Sequence, residues 1–193
     1  GSFVPLNSKE WVEAKMLTIS AVDANRDCTG VSYFARNAPY SAFSKQARGE
    51  VAQRGARHSA EVCAVADGAD WIQSVVTEHR KDALRILDFY HSAERLAGIG
   101  HAVFDPDKAT FASWFEPQRL ELRDGDPDAV LANLYQLSQN HPQHARLIEE
   151  HLEYFSKRRS QIDYALFKQA GWPIGSGSGE AAHKVVVQAR MKQ

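Results

Sequence analysis

Cysteine is scarce in this chain, with Cys28 and Cys63 the only two in 193 residues. They form no CxxC pair, which removes the usual frame of a structural zinc site and leaves two reduced thiols, as expected in a cytosolic protein. Long apolar runs are missing too, so no membrane-spanning helix is expected. The N-terminus lacks the basic-then-apolar pattern of a secretory signal. Charge of one sign is not in excess: the formal net charge is -1 at pH 7. A protein that grips nucleic acid unaided is usually basic, so this balance speaks against autonomous tight binding. It leaves open a catalytic region whose recognition parts lie elsewhere in a longer chain.

What is present is ordinary for a globular protein. Apolar residues make up 44% and charged residues 24%, enough for one domain with a sizeable core. In Trp11–Val22, WVEAKMLTISAV, Leu17, Ile19 and Ala21 alternate with Thr18 and Ser20, the period of a half-buried strand. Asp23–Cys28 reads as a turn, and Thr29–Arg36 as the returning strand of an antiparallel hairpin. Pro39 opens a helix predicted to run to about His58, with Phe43, Ala47 and Val51 on its buried face. The short apolar run Glu61–Ala66 predicts a central buried strand, ended by Asp67-Gly68, with Cys63 as a small core residue. A helix over Asp70–His79 and a second buried strand over Ala83–Leu87 follow, the latter ending at Asp88.

From His91 the pattern is helical. Asp105-Pro106 and Asp126-Pro127 read as helix starts, an aspartate cap followed by proline at the first helical position. Val130, Leu134 and Leu137 form one apolar stripe, and Ile148, Leu152 and Phe155 another; both are read as core. Trp172-Pro173 interrupts the helices, and Gly175–Gly179, GSGSG, leads into a last helix from Glu180 to about Lys192. There are no repeats and no linker. The sequence therefore predicts one α/β domain over 1–193, with a core of 1–95 and 171–193 and a helical insertion over about 96–170.

Three acids stand out by placement. Asp67 and Asp88 lie at the ends of buried strands, where ligands commonly meet an open α/β sheet. Glu180 lies in the first turn of the last helix. Each has a plain structural explanation, as a turn residue, a cap or a complement to the helix dipole. Ser176 and Ser178 sit in the loop whose amides, with the start of the last helix, are suited to hold a phosphate, although Ser178 serves equally as a simple cap. No Lys follows as a P-loop requires. Lys157-Arg158-Arg159, Lys184, Arg190 and Lys192 are candidate phosphate contacts; the plain alternative is a solvated helix face. Trp114 and Trp172 are read as core rather than as base-stacking residues.

The segments VADGADWIQSVV (65–76), ILDFYHSAERL (86–96) and GWPIGSGSGEAAHKVVVQARMK (171–192), in this order, resemble the catalytic domains of bacterial insertion-sequence transposases of the IS-Kra family, relatives of the Mutator-like transposases. The resemblance covers nearly the whole chain, including EWVEAKMLTI near its start and the Asp163-Tyr164 region. It implies a ribonuclease-H-like fold: a mixed sheet flanked by helices, with a helical insertion before the last catalytic helix. It implies DNA cleavage and strand transfer by a DDE acid triad, and places Asp67 as the second catalytic acid and Glu180 as the third, both as metal ligands. Asp88 and His91 match an accessory C/D-x-x-H pair, in which a hydrogen bond fixing the imidazole and the strand-to-helix turn is the favoured role over metal ligation. The first acid would stand directly before Gly1-Ser2-Phe3-Val4-Pro5, outside this chain; Asp23, at a hairpin turn, is a poor substitute. Residues Gly179, Ala181 and His183 around Glu180 depart from the family's usual ones.

The chemistry explains the residue types. Two divalent ions about 3.5–4 Å apart can activate one oxygen and stabilise another during phosphodiester cleavage. Hard ions such as Mg2+ or Mn2+ prefer carboxylate oxygens. Two ions are expected in the intact protein, and weak metal binding with little activity in the span 1–193. Partners implied are transposon-end and target DNA and a second copy of the chain, with no membrane, in the bacterial cytoplasm and on the nucleoid when DNA is bound. The alternatives are a catalytically inactive ribonuclease-H-like module that binds DNA or protein, and a ribonuclease-H-like nuclease of another kind.

Overall fold

The computed structural model describes residues 2–5, 11–105 and 107–177. Its elements run β1 (Ser2–Pro5), β2 (Trp11–Val22), β3 (Cys28–Arg36), α1 (Tyr40–Gln53), β4 (Cys63–Ala66), α2 (Asp70–His79), β5 (Leu84–Leu87), α3 (Phe89–Phe104), α4 (Lys108–Asp124), α5 (Pro127–Asn140), α6 (Ala145–Lys157) and α7 (Tyr164–Gln169). Short 3-10 turns at Pro142–His144 and Arg159–Gln161 flank α6. The protein is thus mixed α/β with small sheets and a long helical stretch. Among the described residues no helix is long and apolar enough to cross a membrane. The chain divides into two compact units: one holds the residues through Ala64, Gly68–Leu84 and those from Ser176 on; the other holds Val65–Asp67 and Arg85–Gly175.

In the first unit β1, β2 and β3 form an antiparallel sheet in that order, with Ser2 opposite Ala14 and Lys15 opposite Arg36. The β2–β3 register slips between Ile19, which faces Ser32, and Ala21, which faces Thr29. The extra residue lies on β3, where Gly30 has a φ of 58°, so glycine supplies the left-handed turn of a bulge. Alternation on β2 is accordingly less clean than its sequence suggests: Leu17 and Ile19 are half-buried, but Ala21, beside the bulge, is exposed. Arg54 donates to the Gly30 carbonyl and ties the end of α1 to this bulge.

Helix α1 buries Phe43, Ala47 and Val51, the face read from the sequence. Phe43 packs against Phe34 at 5.4 Å and edge-on against Trp71 at 6.0 Å between ring centroids. The helix ends at Gln53 rather than near His58. Gly55, at φ 69°, donates to Ala52 O (3.0 Å) and Ala56 donates to Val51 O (3.1 Å), which is the hydrogen-bond pair of a Schellman stop. Helix α2 spans Asp70–His79 as the sequence predicts.

Strands β4 and β5 pair as a two-stranded sheet. Leu84 donates to Val62 O at 2.9 Å and Asp88 donates to Ala66 O at 2.7 Å. The two bonds advance together along both strands, so the pair is parallel, as a strand–helix–strand connection through α2 requires. Among the described residues β4 is paired on one edge only, and its four residues are half-buried rather than fully enclosed as expected. Burial pushes the Cys63 thiol up to about 11, which makes it an inert packing group.

The second unit is built from α3 to α7. Leu96, Ile99, Leu122, Val130, Leu134, Ile148, Phe155 and Ile162 form its interior. Each such side chain contributes roughly 1.5–3 kcal/mol when removed from water. Leu152, read as part of the α6 stripe, is only half-buried. Asp126 caps α5 with Pro127 in the first turn, as its sequence predicts. Asp105 does not cap α4. Its amide closes the end of α3 on His101 O, and Asp107 two residues later accepts from the amides of Ala109 and Thr110, so it takes the cap.

Tyr164 sits at the centre of this unit, fully buried. Its ring meets Phe89 edge-on at 5.3 Å. Its hydroxyl lies 2.8 Å from Leu87 O and 2.7 Å from Ser92 Oγ, which in turn lies 3.1 Å from Asp88 O. Two hydroxyl protons therefore bind the end of β5 to the first turn of α3 and to α7.

Candidate active site at the ends of two parallel strands

The register of β4 and β5 places Leu87 opposite Ala66, and the Asp88–Ala66 bond carries it one residue further, so Asp88 stands opposite Asp67. Opposite residues of a parallel pair share a face, so two carboxylate-bearing positions meet at the C-terminal edge of the strands. Gly68 follows at φ 84°, a conformation open to glycine and strained for other residues, and turns the chain directly after Asp67. Asp67 is half-buried, and its main-chain oxygen accepts from the Tyr154 hydroxyl at 2.9 Å. That bond ties α6 to the strand end.

Asp88 is 2% exposed and caps α3. Its Oδ1 accepts from the amides of Tyr90 (2.8 Å) and His91 (3.3 Å), two donors that the start of a helix leaves without partners. The strand-to-helix turn is therefore fixed as expected, but through the backbone of His91. The exposed imidazole turns elsewhere: its Nδ1 lies 3.3 Å from Glu94 Oε2. The expected carboxylate–imidazole bond within the Asp88/His91 pair is not formed; the carboxyl accepts from the capping amides and the ring lies beside Glu94.

The opening of the third segment, GWPIG, comes to the same place. Phe89 donates to Ile174 O at 2.9 Å. A Cβ on Gly175 would stand 2.8 Å from the Tyr90 ring, so the glycine backbone lies directly against that ring. The residues 172–175 and the Asp88 turn thus form one structure within the second unit. Ser176 is half-buried in the first unit. Ser178, Glu180, Lys184, Arg190 and Lys192 lie outside the described residues, as does Gly1.

Carboxylate oxygen is the donor that Mg2+ or Mn2+ prefers, so Asp67 suits such an ion. Asp88 suits it less, because one of its oxygens already takes two amide hydrogens. Among the described residues no three His, Cys, Asp or Glu side chains gather as a ligand set.

Of the candidate basic residues, Lys157 pairs with Glu153 at 2.5 Å, while Arg159 reaches Asp128 at 2.5 Å and lies 3.5 Å from Asp163. Both charges are balanced internally. Arg158 donates to Tyr154 O at 3.3 Å and lies over the Tyr154 ring, 4.0 Å from its centroid; Arg95 lies 3.8 Å from the same centroid. Neither Arg95 nor Tyr154 stands out in the sequence. The only local cue is the four-residue spacing of Tyr154 and Arg158 along α6; the partner on α3 has no sequence signature.

A second polar cluster lies in the first unit. Ser44 Oγ is 2.5 Å from Glu78 Oε2 and 3.2 Å from His79 Nε2, which is also 3.0 Å from Ser44 O. The set contains the residue types of a nucleophile relay, but Ser44 is 1% exposed and donates its proton to Glu78. Together with Arg48, it holds the Glu78 carboxyl below the usual carboxylate range. Its role is to clamp α1 to α2.

No protein-family model matches this chain, and neither a curated protein nor a solved structure matches it.

Proposed function

We propose that this chain is the catalytic region of a DDE-type DNA transposase related to the IS-Kra family, acting in phosphodiester cleavage and strand transfer. The observation that carries the reading is Asp67 at the end of β4, opposite Asp88 on parallel β5. The packing of Ile174 and Gly175 against Phe89 and Tyr90 supports it, since two of the three resembling segments then share one site. The element order also agrees with a ribonuclease-H-like fold: three antiparallel strands, a helix, a strand, a helix and a parallel strand, then a helical stretch before residues 171–193.

In this reading Asp67 and Glu180 hold the divalent ions, which supply activation of the attacking oxygen and stabilisation of the leaving one. Asp88 is a positioning residue: it fixes the turn that carries Phe89 and Tyr90, against which the third segment lies. Tyr154 fixes the backbone at Asp67 through its hydroxyl. DNA is the substrate, and a second copy of the chain is the expected partner.

The test is strand transfer with Mn2+ by a protein in which an aspartate directly precedes Gly1, using oligonucleotides that carry the element's own ends. Joined products are expected, and Asp67→Asn and Glu180→Gln are each expected to reduce them to background. Products that persist in both variants would remove the assignment. Cleavage of RNA–DNA hybrids without joining would favour a nuclease. The net charge of -1 favours a second reading, a non-catalytic binding module, and DNA binding without any joined product is its signature.

A further inference from the structure

Two aromatic residues open α3 and meet opposite fates. Phe89 is buried, edge-on to Tyr164 at 5.3 Å between ring centroids. Tyr90 is 61% exposed, more than any other large apolar side chain among the described residues. Its ring is nevertheless held in place. The Tyr90 amide donates to Asp88 Oδ1 at 2.8 Å, the Phe89 ring meets it edge-on at 5.7 Å, and the Gly175 backbone lies against its Cδ2 and Cε2 atoms. Single exposed aromatics are ordinary on a protein surface. This one is distinguished by its place. Helix α3 starts directly from the C-terminal end of β5, so its first turn stands on the strand edge that carries Asp67 and Asp88. Neighbouring strands lie about 4.8 Å apart, and Tyr90 is two residues past Asp88, so the ring lies within a few nucleotides, at about 3.4 Å each, of the Asp67 position. All of these residues belong to the second unit.

We propose that Tyr90 is the stacking platform for a nucleobase of the DNA strand presented to Asp67. The proposal rests on the transposase reading and deepens it by naming a base contact for its substrate. Every base offers a flat π face, and an open aromatic ring binds that face without reading sequence. The hold of Asp88, Phe89 and Gly175 restricts the ring before the strand arrives, so little ordering cost is left for binding. The net charge of -1 keeps phosphate contacts few, and stacking supplies affinity that needs no cation. Asp88 then acts twice: it fixes the strand-to-helix turn and, through that turn, the ring.

The experiment measures binding of a fluorescent single-stranded oligonucleotide by anisotropy, with the full chain, from low salt upward. The wild type is compared with Tyr90→Leu and Tyr90→Phe. Leucine keeps apolar bulk beside Gly175 without a flat ring; phenylalanine keeps the ring and loses only the hydroxyl. Tyr90→Leu is expected to weaken binding about tenfold, the loss of one stacked base, with the salt slope unchanged because stacking releases no counterions. Tyr90→Phe is expected to bind within about twofold of the wild type. Thermal midpoints should stay at the wild-type value in both. Wild-type affinity in Tyr90→Leu overturns the proposal, and so does weaker binding that comes with a lowered midpoint, which would make the ring a packing device. Tyr90→Phe as weak as Tyr90→Leu overturns stacking in favour of a hydroxyl contact. A wild type that joins DNA ends while Tyr90→Leu binds unchanged removes the ring's role alone. A wild type that binds no DNA even at low salt removes the transposase reading and the proposal together.

Discussion

Tyr164 shows how much one buried hydroxyl can organise. Leu87 O, Asp88 O and Ser92 Oγ share two hydroxyl protons with it. Tyr164→Phe keeps the ring contacts and leaves the Leu87 carbonyl without this donor, at an expected cost of about 1–3 kcal/mol in chemical denaturation. Burial pushes the phenol itself well above its usual range. His151 titrates in the opposite sense. Its folded pKa lies below the ordinary value of about 6.5, so unfolding takes up a proton just below that pH, and stability falls as pH drops through this window. His151→Gln is expected to flatten the decline below about pH 6.5 in thermal melts at stepped pH. Asp107 and Asp128, held below the usual range by Thr110 and Arg159, lose their contribution only in stronger acid. At this scale the acids Asp67 and Asp88 were legible because each ends an apolar strand. Arg95 and Tyr154 were not, because they meet across two helices whose sequences carry no mark of the encounter.

At the scale of elements, the helices were readable where stop and start residues are unambiguous. Asp126-Pro127 caps α5, while Gly55 ends α1 earlier than its apolar pattern suggests, since a left-handed glycine outweighs periodicity. The β3 bulge was invisible because Gly30 sits inside an otherwise regular strand pattern. Close packing gives a sharper test than boundaries do. Where α3 crosses α4, a Cβ on Gly100 would lie 2.8 Å from both the Phe111 and Trp114 rings. Helix propensity favours Gly100→Ala by roughly 1 kcal/mol, but overpacking costs about 1–3 kcal/mol, and the clash meets rigid ring carbons rather than a flexible chain end. Net destabilisation is expected, read as a lower denaturation midpoint. Gly55→Ala, with open space around it but a φ of 69°, should cost about 1 kcal/mol from the backbone alone.

For the whole molecule, the balance of charge sets the terms of any encounter with DNA. With a net charge of -1, few phosphates can be neutralised at once. Wild-type binding is therefore expected to be weak and its salt slope shallow, about -0.9 per phosphate contacted, unlike the steep dependence of basic DNA-binding domains. A steep slope in anisotropy titrations would contradict this. The mixed α/β class was legible from two strand periods followed by helical stripes. The division into two units was not, because its boundaries fall inside β4 and β5, where no local pattern marks them.

The parallel pairing of Cys63–Ala66 with Leu84–Leu87 leaves the locus intolerant of odd-numbered length changes. One residue inserted into the first of these strands would rotate the carboxyl at its end to the opposite side of the sheet, away from its counterpart across the ladder. Two inserted residues would return it to the original side, displaced by one pleat. Any natural or engineered lengthening of this segment should therefore come in pairs, or be absorbed in the α2 crossover, where an added residue leaves the parity of the strand untouched.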